Sequence, residues 1–149
     1  MENSIEIQRT YFADDIIQIE NKLHHRILSD ENIYQDILNN TYSFYTLRYN
    51  KNLAGYIVFS NCIDHTDLIS VAITPVFRNL GLATNLMKHM GNICLESNLF
   101  PILLEVRKSN TPAIKLYEKL GYNKISTREN YYSNPTEDAY IYIKETPDT

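Results

Sequence analysis

Apolar residues change their period several times along this chain, and the changes divide it into elements. Ile5–Arg9 alternates apolar and polar positions, the period of a strand. From Phe12 to Leu28 the residues Phe12, Ile16, Ile19 and Leu23 fall at helical spacing. Ser29 and Asp30, ahead of Ile33, Ile37 and Leu38, predict a second short helix with its own cap. Ser43–Tyr49 and Leu53–Phe59 read as strands joined by a hairpin turn at Asn50–Asn52, and Asp67–Ile73 reads as a further strand that stops before Pro75. Leu80–Ser97 is the clearest helix, with Ala83, Leu86, Met87, Met90, Ile93 and Cys94 on one stripe. Beyond Pro101, Ile102–Val106 is a short buried strand, and Asn110–Leu120 is a helix ended by Gly121. Tyr122–Arg128 and Asp138–Lys144 are two last strands around a loop at Ser133–Pro135.

The resulting order is β-α-α-β-β-β-α-β-α-β-β. Strand, helix and strand between residues 67 and 106 predict one parallel crossover in a mixed sheet. The chain shows no repeat, no low-complexity tract and no linker. Its 149 residues therefore predict a single domain over 1–149, with 146–149 as a loose tail. A chain of this size buries roughly 70% of its unfolded surface, enough for a real core.

Charge and composition narrow the partners. A net charge of −4 argues against nucleic acid and suits a cationic substrate such as an amine or basic peptide. Twelve tyrosines and no tryptophan hint at amphipathic pocket walls. Cys62 and Cys94 sit in no CxxC pattern and read as two free buried thiols of a cytosolic protein. MENSIEIQRT holds no apolar signal region, and no apolar run approaches membrane length. The expected compartment is the cytoplasm, with no membrane partner. His24 and His25 are adjacent and point apart on a helix, while His65 and His89 have no ligand neighbours in sequence, so no metal site is expected.

Three local patterns carry chemistry. Val71–Thr84, VAITPVFRNLGLAT, runs from a strand through a turn into a helix, the layout that presents free amides to a phosphate. Gly81 allows close backbone approach, amides near residues 80–84 could face a pyrophosphate, and Arg78 would add charge. The bland alternative is an ordinary helix entry with Arg78 on the surface. A P-loop would need Gly-Lys-Ser/Thr where Gly81-Leu82-Ala83 stands, and a dinucleotide fingerprint would need three glycines. Glu105 lies in an apolar strand, where alternation puts Ile102, Leu104 and Val106 on one face and Leu103 and Glu105 on the other. Burial there would raise its pKa, as a general base needs. Tyr117 shares a helix face with Ala113, Ile114 and Leu120, and reads as a core aromatic or as a phenol of pKa near 10 that can protonate a thiolate. Asn110 reads as an N-cap followed by Pro112 in the first turn. Arg107 and Lys108 read as a solvated strand end or as part of a phosphate-facing rim.

Together these stretches resemble the GNAT superfamily of acetyl-CoA-dependent N-acetyltransferases, and within it the RimI type, which acetylates the N-terminal amine of a ribosomal protein. The family's Arg/Gln-x-x-Gly-x-Gly/Ala motif falls on Arg78, Gly81 and Ala83. Its LEVR-x-SN segment falls on Leu104–Arg107 with Ser109 and Asn110, and its A-I-x-L-Y-x-x-L-G-[FY] segment on Ala113–Tyr122. The Arg-x-Asn-Tyr-Tyr and Glu-Asp-Ala signatures fall on Arg128–Tyr132 and Glu137–Ala139. Residues 67–144 are covered well, and residues 1–66 match in element order alone. The resemblance implies an α+β GNAT fold, a mixed, mostly antiparallel twisted sheet of about seven strands flanked by about four helices.

It also implies roles. Glu105 would be the general base and Tyr117 the general acid toward the CoA thiolate. Val71, Ala72 and Ile73 would offer a backbone amide to the acetyl carbonyl oxygen. Arg78, Asn79, Gly81, Leu82, Ala83 and Thr84 would cradle the pyrophosphate of acetyl-CoA. Asn110 would touch the pantetheine arm with Tyr117 nearby, and Tyr131 and Tyr132 would wall the peptide site. The implied partners are acetyl-CoA and a peptide or protein N-terminus such as that of a ribosomal protein, the enzyme being a monomer or weak dimer. Three departures stand out. Ala83 replaces glycine, Asn79 and Leu80 replace more polar residues, and HRILSD stands where the RimI type carries an aromatic-proline substrate loop. The alternatives are a GNAT acting on a small amine or lysine side chain, and a non-catalytic acyl-CoA-binding module.

Overall fold

The computed structural model describes residues 2–24, 26–40 and 42–148. His25 of the histidine pair and of the HRILSD segment, and Thr149 of the expected tail, lie outside the described residues. The elements are β1 (Ile5–Arg9), α1 (Ala13–Glu20), α2 (Asp30–Leu38), β2 (Ser43–Tyr49), β3 (Asn52–Asn61), β4 (Thr66–Ile73), α3 (Leu82–Ser97), β5 (Ile102–Arg107), α4 (Thr111–Lys119), β6 (Asn123–Tyr132) and β7 (Glu137–Lys144). A short 3-10 turn, Pro75–Phe77, precedes α3. The seven strands form one mixed sheet in the order β1-β2-β3-β4-β5-β7-β6. The parallel crossover is there: Thr66 and Asp67 of β4 pair with Ile102 and Leu103 of β5. The α+β expectation of about seven strands and four helices is met.

Two compact units divide the chain, one within residues 1–60 and 69–93, the other within 61–68 and 94–149. In the first, Ile16, Ile19, Ile33, Phe44, Tyr56 and Val58 build the core, and removing their apolar surface from water is what stabilises it. The β2–β3 hairpin turns on Asn50 and Lys51, whose φ values of 49° and 68° suit a two-residue turn. Gly55 has no room for a side chain: a Cβ there would lie 2.5 Å from the Ala72 carbonyl oxygen.

Sequence periodicity and structure part at the first helix. The spacing through Leu23 predicts a helix to Leu28, but α1 stops at Glu20. The Glu20 side chain is fully buried, and its carboxylate accepts the amides of Ile27 (2.7 Å) and Leu28 (3.1 Å) and the Tyr56 hydroxyl. A buried carboxylate needs such donors, and taking them bends the chain back on itself. Ser29 then caps α2 by accepting from the Asn32 amide, as its sequence position predicts.

In the second unit, β5 buries Ile102, Leu104 and Val106 and turns Leu103 and Glu105 the other way, as alternation predicts. β7 pairs antiparallel with β5 and with β6, the exposed edge strand. Cys94 is buried and Cys62 is not, which corrects the expectation of two buried thiols; both are free. Among the described residues no helix is long and apolar enough to cross a membrane.

Candidate active site

The turn before α3 belongs to the first unit. Val71, Ala72 and Ile73 close β4, and the Thr74 amide donates to the Ala54 carbonyl at 2.8 Å. Asn79 and Gly81 both adopt positive φ, 64° and 74°. That conformation is easy for glycine and tolerable for asparagine, and it lets the chain enter α3 at Leu82. A Cβ on Gly81 would meet nothing within 4 Å, so the space beside its backbone is open. The first amides of α3, at Leu82, Ala83 and Thr84, lack intrahelical acceptors by helix geometry. Leu82 itself is buried and anchors the helix, which starts two residues later than the periodicity predicts. Arg78 is exposed and folds back, its Nε donating to the Ile73 carbonyl at 3.2 Å.

Glu105, Tyr117, Asn110, Tyr131 and Tyr132 all belong to the second unit. Strand order decides what surrounds Glu105. It pairs with Ile141 on β7, and the next strand, β6, carries Arg128, whose Nη1 lies 3.6 Å from the Glu105 carboxylate. Glu105 raises the Tyr131 phenol, first by hydrogen bonding and then by charge. Burial raises Tyr132, and the Glu105 charge adds to it. The Tyr131 and Tyr132 rings meet edge to face at 5.1 Å. The structure thus gathers Glu105 and both tyrosines. It does not bury Glu105, whose side chain is 32% exposed. Glu105 lies on the face opposite the buried Ile102, Leu104 and Val106.

Tyr117 is buried on α4, its ring centroid 6.1 Å from that of Tyr122. Its pKa is pushed up to about 12, first by burial and then by Tyr132, well above the value near 10 of a free phenol. Its hydroxyl is therefore protonated throughout the neutral range and is a weaker acid than the free side chain. Asn110 caps α4, its Oδ1 accepting from the Ala113 amide at 3.3 Å, with Pro112 in the first turn. Gly121 closes the helix at φ 91°.

Two arginines complete the arrangement. Arg107 is not a free strand end. It donates to the Ser133 and Pro135 carbonyls (3.1 and 3.2 Å) and to Glu137 (3.3 Å), and it lies 4.4 Å over the Tyr132 ring. Glu137 in turn accepts the Ser109 amide, and that hydrogen bonding, with Arg107, holds its carboxyl below the usual range. The β6–β7 loop is therefore clamped to the end of β5, which fixes Tyr132. Arg128 had no expected role of its own, although the Arg-x-Asn-Tyr-Tyr stretch contains it. Its partner lies two strands away in the sheet order, so sequence spacing could not reveal the pair.

Comparison with known proteins agrees on one family. The profile of the acetyltransferase (GNAT) family matches residues 7–122. A Bacillus subtilis protein provisionally described as a ribosomal protein bS18 alanine N-acetyltransferase is 32% identical over 129 residues, 86% of this chain and 85% of its own. The ribosomal protein bS18 alanine N-acetyltransferase of Salmonella typhimurium is 30% identical over 141 residues, 93% of this chain and 95% of its own. Among solved structures, the ribosomal-protein-S18-alanine N-acetyltransferase of Escherichia coli superposes with a TM-score of 0.86 at 27% identity, covering 99% of this chain and 96% of that one.

Proposed function

We infer that this chain, which belongs to the acetyltransferase (GNAT) family, acetylates the N-terminal α-amine of a protein, with a ribosomal protein of the bS18 kind as the acceptor its relatives favour. Acetyl-CoA, the donor the family uses, supplies the acetyl group as an activated thioester. The observation that carries the reading is the grouping of Glu105 with Tyr131 and Tyr132 in one unit that also buries the Tyr117 phenol. An α-amine has a pKa near 8 and must lose a proton before it can attack. Glu105, exposed enough to be reached directly or through a water, takes that proton. The amine nitrogen bonds to the acetyl carbon, the carbon–sulfur bond breaks, and the Tyr117 hydroxyl faces the departing sulfur. A β4 amide among Val71–Ile73 would stabilise the carbonyl oxygen as charge gathers on it. Arg78, Asn79, Gly81 and the first amides of α3 would hold the pyrophosphate, and Asn110 would border the pantetheine arm. The open space at Gly81 fits that role. Tyr131 and Tyr132 would wall the peptide.

A second reading, a small amine or lysine side chain as acceptor, is favoured by the HRILSD segment, which lacks the aromatic-proline loop of the RimI type. One assay separates the two. Acetyl-CoA is offered with peptides beginning Ala-Arg, Ser or Met, with polyamines, and with an N-terminally blocked lysine peptide. Acetylation is located by mass spectrometry. A mass gain on the α-amine of the Ala-Arg peptide is the expected result; acetylation of polyamines or blocked peptides alone would remove the N-terminal assignment. Glu105→Gln should still bind acetyl-CoA while transfer falls on the order of 10²-fold or more. Unchanged turnover would remove Glu105 as the base.

A further inference from the structure

The β3–β4 connection holds a cluster that acetyl transfer does not use. In the segment CIDHTD, Cys62, His65 and Asp67 each offer one ligand atom, all three atoms lying within 4.8 Å of one another. Cys62 Sγ is 3.8 Å and His65 Nε2 is 3.4 Å from the same Asp67 oxygen. A tetrahedral ion with bonds of about 2.0–2.3 Å sets its ligand atoms about 3.3–3.8 Å apart, so these donors already stand near coordinating separations. We propose that Cys62, His65 and Asp67 form a binding site for a divalent transition-metal ion of the zinc class. Cys62 and Asp67 stand beside His65, which was expected to have no ligand neighbours.

The donor chemistry selects the ion. One thiol, one imidazole and one carboxylate suit borderline-soft Zn²⁺, whereas Ca²⁺ and Mg²⁺ require oxygen ligands throughout. Asp64 supplies the outer contact that such histidines use, its carboxylate 2.8 Å from His65 Nδ1. That bond holds the ring with Nε2 toward Asp67 and Cys62. Without an ion, His65 pairs with two aspartates and the Cys62 thiol donates to the same Asp67 oxygen; a bound ion would replace the Cys62 and His65 contacts to Asp67 with three metal bonds. The connection is braced before any ion arrives. The Cys62 amide donates to the His65 carbonyl at 2.8 Å, and the Thr66 hydroxyl contacts Asn61 Oδ1 (3.1 Å) and the Leu99 carbonyl (3.0 Å). All three ligands are half-buried, so an ion reaches them from solvent and a water can take the fourth position. On binding, the Cys62 thiol proton leaves to solvent and the thiolate becomes the ligand.

The test uses the full chain, reduced and stripped of metal with a chelator that is then removed. Co²⁺ is titrated in and the thiolate-to-cobalt charge-transfer absorption is followed; Zn²⁺ binding is measured by calorimetry. The expected result is one equivalent of each ion. Cys62→Ser should abolish the charge-transfer band, His65→Gln should weaken Zn²⁺ binding by at least about 10-fold, and Cys94→Ser should leave the band intact. Circular dichroism of each variant keeps loss of binding separate from loss of fold, and Asp64→Asn gives a milder change that spares all three ligands. Absence of the band at one equivalent, a band that survives Cys62→Ser, or Zn²⁺ affinity unaltered in His65→Gln would each overturn the site.

Discussion

Replacing Tyr117 with phenylalanine asks how the buried phenol assists a departing sulfur. Burial, then Tyr132, pushes its pKa up to about 12, whereas a thiol ordinarily titrates near 8.5. Complete proton transfer to a free thiolate is therefore uphill by about 3.5 units, or about 5 kcal/mol. A thiolate of that basicity leaves without needing a full proton. The contribution that remains is a hydrogen bond to developing negative charge, and such bonds contribute about 1.5–3 kcal/mol. In rate this is about 10- to 150-fold. The kcat of Tyr117→Phe should fall within that range under saturating acetyl-CoA and acceptor peptide. Phenylalanine keeps the ring packed beside Tyr122, so thermal stability serves as the control. The pH dependence carries a second check. A phenol raised to about 12 stays protonated through pH 10, so wild-type kcat should show no falling limb below that pH that the variant lacks. An unchanged kcat would refute the role of Tyr117. A falling limb near pH 9 that disappears in the variant would refute the reasoning from burial.

Other outcomes follow from the packing. Gly55→Ala forces a methyl to within 2.5 Å of the Ala72 carbonyl and of Ile73 Cδ1, and should cost about 2 kcal/mol or more in urea unfolding; an unshifted midpoint would count against so close an approach. Glu20→Ala leaves the Ile27 and Leu28 amides and the Tyr56 hydroxyl without their acceptor. It should lower stability by about 3 kcal/mol or more and speed hydrogen exchange at both amides; unchanged exchange would show that the carboxylate does not hold Ile27 and Leu28. Burial raises the phenols of Tyr56, Tyr117, Tyr122 and Tyr132. A raised folded-state pKa stabilises fully below the unfolded value near 10 and loses that contribution as pH rises through the folded value. The melting temperature should therefore hold to about pH 10 and drop steeply toward pH 12, and a flat profile across that window would contradict the burial.

The order of elements, the caps at Ser29 and Asn110, the turn glycines 81 and 121 and the two faces of β5 were all legible in the amino-acid sequence. Each depends on residues a few positions apart, where backbone geometry alone sets the period. The family motifs on Arg78–Ala83 and Leu104–Tyr122 were legible for the same reason, being compact runs around a single turn. What periodicity could not supply was partnership. Helical spacing carried the first helix to Leu28, yet a buried Glu20 ends it by claiming two later amides. Glu105 was legible as a carboxylate in an apolar strand, yet sheet order is what brings it beside Arg128 and Tyr131. Arg107 resembled a loose strand end until the β6–β7 loop closed over it. His65 has Asp64 and Asp67 close by in sequence, and the turn after β3 brings the Cys62 thiol to the same Asp67 oxygen. The sequence by itself determined which elements form and which faces they bury. Tertiary structure decided the distant charge pairs, Glu105 with Arg128 and Arg107 with Glu137, because these depend on which strands lie side by side, and no local repeat encodes that.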